Sequence, residues 1–402
     1  MFNIDDFIRE YVIKRSISMF QEDIHNHWNT VSAGIKGKKV LVIGGAGSIG
    51  SSFIKALLPF KPKTLVVVDI NENALTELTR DLRSTKGLFI PDDYITYPMD
   101  YASNIFEKMF LRRKGFDIVA NFSAHKHVRT EKDIYSVEAL LQNNVIHAKK
   151  LLDVLTKYPP QSYFCVSTDK AANPVNIMGA SKRIMEDLIF SYSDRYPVKT
   201  ARFANVAFSN GSLPAGFLER IKKLQPISAP SDVNRYFVSP EESGQICLLA
   251  CVLGENRAIF FPKLEKEQMM SFDRISTELL KVHGYEVLEC QSDEEALEKV
   301  ELLRNGKKVY PVHYSVSDTS GEKPYEEFVT DSEIAEYNRF ISLGVIIGKD
   351  IPEKTKINKL INELENAFEN EKITKKEVVK IMKNYLPNFD HIETGKSLDG
   401  KM

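Results

Sequence analysis

The sequence predicts an α/β fold: a Rossmann-like, doubly wound parallel sheet with a smaller mixed C-terminal substrate-binding region and a helical tail. Three observations predict it. Short β-branched runs alternate with amphipathic helical segments from Lys38 to Phe203. The first run ends in a glycine-rich turn that opens a helix. The second run ends on an acid.

The elements follow in order. Residues 3–30 carry Ile4, Phe7, Ile8, Tyr11 and Val12 at helical spacing and read as an amphipathic lead-in. Its polar face is mixed in charge, which favours docking on the main domain or a neighbouring subunit over lying on a membrane. Strands are expected at Val40–Ile43, Leu65–Asp69, Ile95–Met99, Ile118–Phe122, Tyr163–Ser167 and Thr200–Phe203. Helices are expected near 48–59, 71–84, 103–114, 134–157 and 178–194. Such βαβ units bury both faces of a parallel sheet, and right-handed crossovers wind it in two directions. Beyond residue 210 the alternation fades, interrupted by Pro214, Pro226, Pro230 and Pro240. Ile357, Leu360, Ile361, Leu364 and Phe368 mark one late helix; Val378, Val379, Ile381, Met382 and Tyr385 mark another. The expected units are a lead-in at 1–35, a nucleotide-binding domain at 36–210 to which later segments return, a substrate region at 211–345 and a tail at 346–402.

Composition narrows the function classes. Lys and Arg total 54 against 55 for Asp and Glu, so the basic surplus of a duplex nucleic-acid binder is missing. Cys165, Cys247, Cys251 and Cys290 form no CxxC pair, which argues against a disulfide framework and a metal site and for reduced thiols. No run reaches the roughly 18–20 apolar residues of a membrane span. The N-terminus has no basic start followed by an apolar core. A cytoplasmic protein is expected.

The glycine turn is GGAGSIG, Gly44–Gly50. Gly44, Gly47 and Gly50 have the GxxGxxG spacing of an extended short-chain dehydrogenase. Glycines let the backbone turn tightly and approach a pyrophosphate; the helix starting at Ser48 and Ile49 offers free N–H groups and a positive dipole end. Asp69 closes the second strand, 19 residues beyond Gly50. A carboxylate there can accept from a ribose and repels a 2′-phosphate, which favours NAD over NADP. Taken singly, the glycines also fit a tight strand–helix turn and Asp69 a helix cap. Asp100, closing the third strand, is either an adenine-contacting acid or a turn residue.

The fifth strand runs into Ser167-Thr168-Asp169-Lys170. In open α/β sheets chemistry gathers at strand carboxyl ends. A hydroxyl, an acid and an amine in sequence can serve as hydrogen-bond donor, general acid and general base. Asp169-Lys170 also fits a helix-capping ion pair. A common short-chain dehydrogenase would follow with YxxxK. This chain has Met178-Gly-Ala-Ser-Lys182, which keeps the lysine and removes the phenol.

The segment STDKAANPVNIMGASKR resembles the signature of nucleotide-sugar 4,6-dehydratases of the CapD-like polysaccharide-biosynthesis family. The best-known members act on UDP-N-acetylglucosamine. Other segments resemble family motifs: SAHKHV (Ser123–Val128), Asn144-Val145, RFANV (Arg202–Val206), Asn210-Gly211-Ser212 and Asn234-Arg235-Tyr236-Phe237. SDTSGEK (Ser317–Lys323) and FDHIETGKSLDGKM (Phe389–Met402) resemble motifs of a soluble subgroup, and the likeness runs from about residue 36 to 402.

This resemblance implies a reaction. The sugar C4 hydroxyl is oxidised, the acidified C5 proton is removed, the C6 hydroxyl leaves as water, and hydride returns to C6. NAD would stay bound and be regenerated in each turnover. By the same resemblance Asp169 is the acid at the C6 hydroxyl, Lys170 the base at C5, and Thr168 the hydrogen-bond partner of the C4 oxygen. Lys182 holds the nicotinamide ribose. Lys126 contacts cofactor and substrate, and Met178, Asn205, Ser212, Arg202 and Arg235 line the substrate, the arginines as diphosphate partners. Members with methionine at the Met178 position lean toward retention at C5. Ala204, Asn210, Phe122 and His125 depart from the usual pattern where nucleotide and sugar would be gripped. An NAD-dependent nucleotide-sugar epimerase is the alternative, and a non-catalytic NAD-binding scaffold a second. The expected partner is a UDP-linked sugar, with a homo-oligomer as the assembly.

Overall fold

A computed structural model describes residues 2–317, 325 and 327–393. The main strands are β1 (Lys39–Ile43), β2 (Thr64–Asp69), β3 (Asp93–Pro98), β4 (Ile118–Asn121), β5 (Ser162–Thr168) and β6 (Val198–Phe203). Shorter strands follow: β7 (Asn205–Val206), β8 (Ile227–Pro230), β9 (Asn234–Arg235), β10 (Phe237–Val238), β11 (Ile259–Pro262), β12 (Met270–Ser271), β13 (Glu286–Cys290), β14 (Val309–Ser315), β15 (Ile334–Glu336) and β16 (Leu343–Ile347). Among the described residues, one sheet has the order β15-β16-β11-β6-β5-β4-β1-β2-β3. The strands from β3 to β11 are parallel; β16 and β15 extend the far edge antiparallel. The order reverses between β1 and β4, and that switch point opens a crevice at the strands' carboxyl ends.

All six expected strands form, with ends moved by one or two residues. β3 begins at Asp93 because Thr64 of β2 pairs with it. Val40–Val42 and Leu65–Val68 are wholly buried, as a sheet covered on both faces requires. The helix expected at 134–157 is three pieces: Ile134–Leu141, a π-turn at Gln142–Ile146 and His147–Leu155. Such π-turns displace one residue and redirect side chains.

The lead-in departs from expectation. It is not one helix over 3–30. Ile4–Phe7 continues as a π-turn, Ile8–Val12, and Lys14 then takes a left-handed conformation (φ 52°) that ends it. Gln21–Asn26 and Trp28–Ile35 resume the helix. The halves join different cores. Phe7, Ile8 and Val12 pack with Phe217, Leu279 and Tyr310, whereas Phe20, Val31 and Ile35 join the sheet core. Arg15 pins the junction through Glu242, at 2.6 and 2.7 Å.

The smaller core lies around a parallel β13-β14-β8 sheet and the helices Leu213–Lys223 and Phe272–Val282. The tail helices Lys354–Phe368 and Lys375–Tyr385 bury Ile357, Leu364, Val378 and Met382 in the main core. Among the described residues no helix is long and apolar enough to cross a membrane. Most of SDTSGEK and the stretch from residue 394 onward lie outside the described residues.

Candidate active site

The glycine turn caps the helix Ser48–Leu57 at the end of β1. Gly44 has φ +69°, and a Cβ there would lie 2.6 Å from the Ser123 amide nitrogen. At Gly50 a Cβ would meet the Gly44 carbonyl oxygen at 2.3 Å. The chain's own packing therefore requires both glycines. Gly47 differs: its φ is −74°, and a Cβ would touch only the Gly44 oxygen, at 3.4 Å. Nothing inside the protein demands glycine at that helix cap, so its bareness leaves space at the positive helix end. The cradle fits a dinucleotide pyrophosphate.

Asp69 braces this turn. Its Oδ2 accepts from Ala46 N at 3.1 Å and its Oδ1 from Asn71 N at 3.0 Å, and the side chain stays partly exposed. Asp100 accepts from Ala102 N at 2.8 Å, with His147 4.0 Å away.

Three loops meet at the crevice mouth. Asn144, placed by the π-turn, accepts from His125 N and donates to His125 O, each at 2.9 Å, and donates to Ser181 Oγ at 3.0 Å. The segment after β4 is thus tied to the helix Ile177–Phe190. Lys126 Nζ lies 3.5 Å from Ser209 Oγ, and burial lowers its pKa. Asn210 N donates to Ser48 Oγ at 2.9 Å. Gly211 (φ +74°) abuts His127, whose Nε2 would lie 3.0 Å from a Cβ. Ser212 caps the helix Leu213–Lys223. Asn205 lies on β7 with its side chain partly exposed, and the nearly buried Arg235 on β9 donates to Asn234 O at 2.9 Å.

At the end of β5, Asp169 is 3% exposed and its Oδ1 gathers three donors: Thr168 Oγ1 at 2.8 Å, Lys170 N at 2.9 Å and Lys170 Nζ at 3.2 Å. Hydroxyl, acid and amine stand within one hydrogen-bonded cluster. Lys182 donates to Val166 O at 3.0 Å. Burial lowers its pKa, opposed by Cys165 and Glu186. Met178 is buried, and its N–H donates to Glu131 Oε1 at 2.9 Å.

Arg202 overturns an expectation. It is wholly buried and does not present itself as a diphosphate partner. Its Nε and Nη2 meet Glu186 at 2.9 and 2.8 Å; Nη1 and Nη2 meet Glu333 at 2.6 and 2.7 Å; Nη1 also reaches Phe328 O at 2.7 Å. Two carboxylates compensate one buried guanidinium. Sequence reasoning missed Glu131 and Glu186 as site-supporting residues, and it named Asn144 as a motif residue without its contacts. Each is a polar side chain at an otherwise buried helical position, the one signal available.

A relative from Methanocaldococcus jannaschii, an uncharacterized membrane protein, is 32% identical over 91% of this chain and 98% of its own length. The probable polysaccharide biosynthesis protein EpsC of Bacillus subtilis is 28% identical over 84% of this chain and 53% of its own; the chain thus spans about half of that relative. A UDP-N-acetylglucosamine 4,6-dehydratase (inverting) from Campylobacter jejuni is 26% identical over 57% of this chain and 67% of its own. UDP-glucose 4-epimerases of Rickettsia also match, over 56% of the chain. Among solved structures, Pen from Bacillus thuringiensis superposes with a TM-score of 0.63 at 21% identity, covering 82% of this chain and 98% of Pen. DesIV from Streptomyces venezuelae, a dTDP-glucose 4,6-dehydratase solved with NAD bound, gives 0.55 at 18%, covering 72% and 88%. These structural likenesses show the Rossmann fold. The description "Polysaccharide biosynthesis protein" matches residues 40–343, and this chain belongs to that family.

Proposed function

We propose that this protein is a nucleotide-sugar 4,6-dehydratase, with UDP-N-acetylglucosamine as its substrate and NAD as its cofactor. The observation that carries the reading is the Thr168–Asp169–Lys170 cluster at the end of β5, with Met178 where a phenol would serve simple alcohol oxidation. A bound NAD would accept hydride from C4 and give it back at C6. Gly44, Gly47, Ser48, Ile49, Gly50 and Asp69 would hold it, with Asp100 near the adenine and Lys182 and Lys126 toward the nicotinamide end. Lys126, Met178, Asn205, Ser212 and Arg235 are the substrate contacts in this reading.

The acid–base chemistry follows from the contact between Lys170 and Asp169. An ammonium beside a carboxylate and an amine beside a carboxylic acid differ only in the position of one proton. The 3.2 Å contact between Lys170 Nζ and Asp169 Oδ1 is a path for that proton. Substrate covering the pair and excluding water favours the neutral form. Lys170 is then a neutral amine that takes the C5 proton and returns one to C5 when hydride reaches C6. Asp169 is then an acid that protonates the departing C6 oxygen. Thr168 orients the C4 oxygen. An epimerase shares the C4 step and has no need of this adjacent acid and base.

The test is incubation with UDP-N-acetylglucosamine and mass spectrometry of the product. Loss of one water supports the reading; an isomer of unchanged mass would replace it with the epimerase.

A further inference from the structure

Two buried titratable groups beside the catalytic loop have no part in that mechanism: the carboxylate of Glu131 and the imidazole of His391. Glu131 ends the turn Val128–Glu131 that follows β4. Its Oε1 accepts the N–H of Met178 at 2.9 Å. Met178 is the second residue of the helix Ile177–Phe190, and Asn176 caps the same end through Gly179 N at 2.7 Å. A carboxylate from a separate element therefore sits on the positive end of the helix that carries Met178 and Lys182.

His391 comes from the chain's other extreme. Its side chain is 8% exposed, and its Nε2 faces Glu131 Oε2 at 3.7 Å with no hydrogen-bond partner among the described residues. The segment around it is fastened on both sides. Ile392 N donates to Val175 O at 3.0 Å. Lys375 Nζ donates to Glu131 O at 2.7 Å and pairs with Glu393. Phe389 is buried in the main core. Val175 lies on the stretch joining Lys170 to Met178. Residues 389–393 thus close on that stretch and on the group that holds the helix's first turn.

We propose that Glu131 and His391 are positioning residues: the terminal segment locks the Lys170–Met178 loop against the start of the catalytic helix. This rests on the dehydratase reading. Met178 N–H compensates one oxygen of the buried Glu131 carboxylate and His391 faces the other, which keeps the helix end in one place. Movement there shifts Met178 and Lys182 relative to Asp169 and Lys170.

The test uses the full chain and the variants Glu131→Ala, Glu131→Gln and His391→Ala. Each is assayed on the nucleotide sugar that the wild type dehydrates, in deuterated water, with NMR of C5 deuterium in recovered substrate. The two alanine variants should lower kcat about 10- to 100-fold, as small misplacements of reacting groups do. KM should hold within about twofold, and C5-exchanged sugar should rise relative to dehydrated product. Glu131→Gln should keep most activity, since its amide oxygen still accepts from Met178 N–H. Unchanged kcat and exchange ratio in both alanine variants, with Asp169→Asn inactive, would overturn the proposal. So would losses that appear only as lower melting temperatures and escape rescue by Gln. Should Glu131→Ala not fold, His391→Ala decides by the same readouts. A wild type inactive on every nucleotide sugar would sink the dehydratase reading and this inference with it; an active wild type with unaffected variants sinks this inference alone.

Discussion

Ser167 donates its hydroxyl to Glu186 Oε1 at 2.7 Å, and the same carboxylate grips Arg202 through both its oxygens. Ser167 and Arg202 are register partners on β5 and β6. One turn before Glu186 on the same helix, Lys182 holds Val166 O. The last residues of β5 before Thr168 are therefore clamped from the helix side. Glu333, from the segment leading into β15, closes the clamp from the opposite end of the chain.

Arg202→Ala should destabilise the fold by about 3–5 kcal/mol, because it leaves Glu186 and Glu333 buried without their guanidinium. Urea melts measure this. Affinity for a nucleotide sugar should change little in the fraction that remains folded. A large loss of affinity with unchanged stability would restore the diphosphate role.

The same clamp predicts an acid-labile stability. Burial alone would raise the Glu186 pKa, but Arg202, Lys349 and Arg183 outweigh it and hold the carboxyl well below its usual range. A depressed folded-state pKa contributes stability above the unfolded value, about 4.3, and that contribution is lost as pH falls toward the folded value. Stability should fall progressively as pH drops below about 5, and Glu186→Gln should flatten that fall while lowering stability at pH 7. Chemical denaturation across pH checks it.

The parallel strands were legible because burial on both faces leaves a continuous apolar run, as in Leu65–Val68. The Thr168–Asp169–Lys170 cluster was legible because its residues are adjacent in sequence. Arg202 was misread because a motif names a residue and not the direction of its side chain, and its partner Glu333 lies 131 residues away. The lead-in was misread because apolar spacing is blind to a single left-handed residue, Lys14, that sends its halves to two cores. Asn144 and Glu131 act through backbone groups of distant segments, and a motif or a polar residue in a buried helical position names such a residue without its partners.

Asp169→Asn and Lys170→Ala should each lower the dehydration rate roughly 10²- to 10⁴-fold, the usual contribution of a positioned acid or base. The two losses should not add in the double variant, because one shared proton links the pair across 3.2 Å. Steady-state rates by mass spectrometry of product check this; fully additive losses would separate the two roles.

The glycine turn permits a discriminating pair of substitutions. At Gly50 a Cβ would lie 2.3 Å from the Gly44 carbonyl oxygen, a backbone atom that cannot swing aside. Gly50→Ala should therefore lower thermal stability and NAD binding together. At Gly47 the backbone is ordinary for any residue and a Cβ would meet only that oxygen at 3.4 Å. Gly47→Ala should melt with the wild type, because the fold itself has room for the methyl group. Its methyl would project at the helix cap where a pyrophosphate is to sit, so NAD affinity should drop about tenfold or more, a loss of about 1.4 kcal/mol. Calorimetric titration with NAD beside thermal melts separates the two effects. Wild-type affinity in Gly47→Ala would mean that the dinucleotide does not approach this turn.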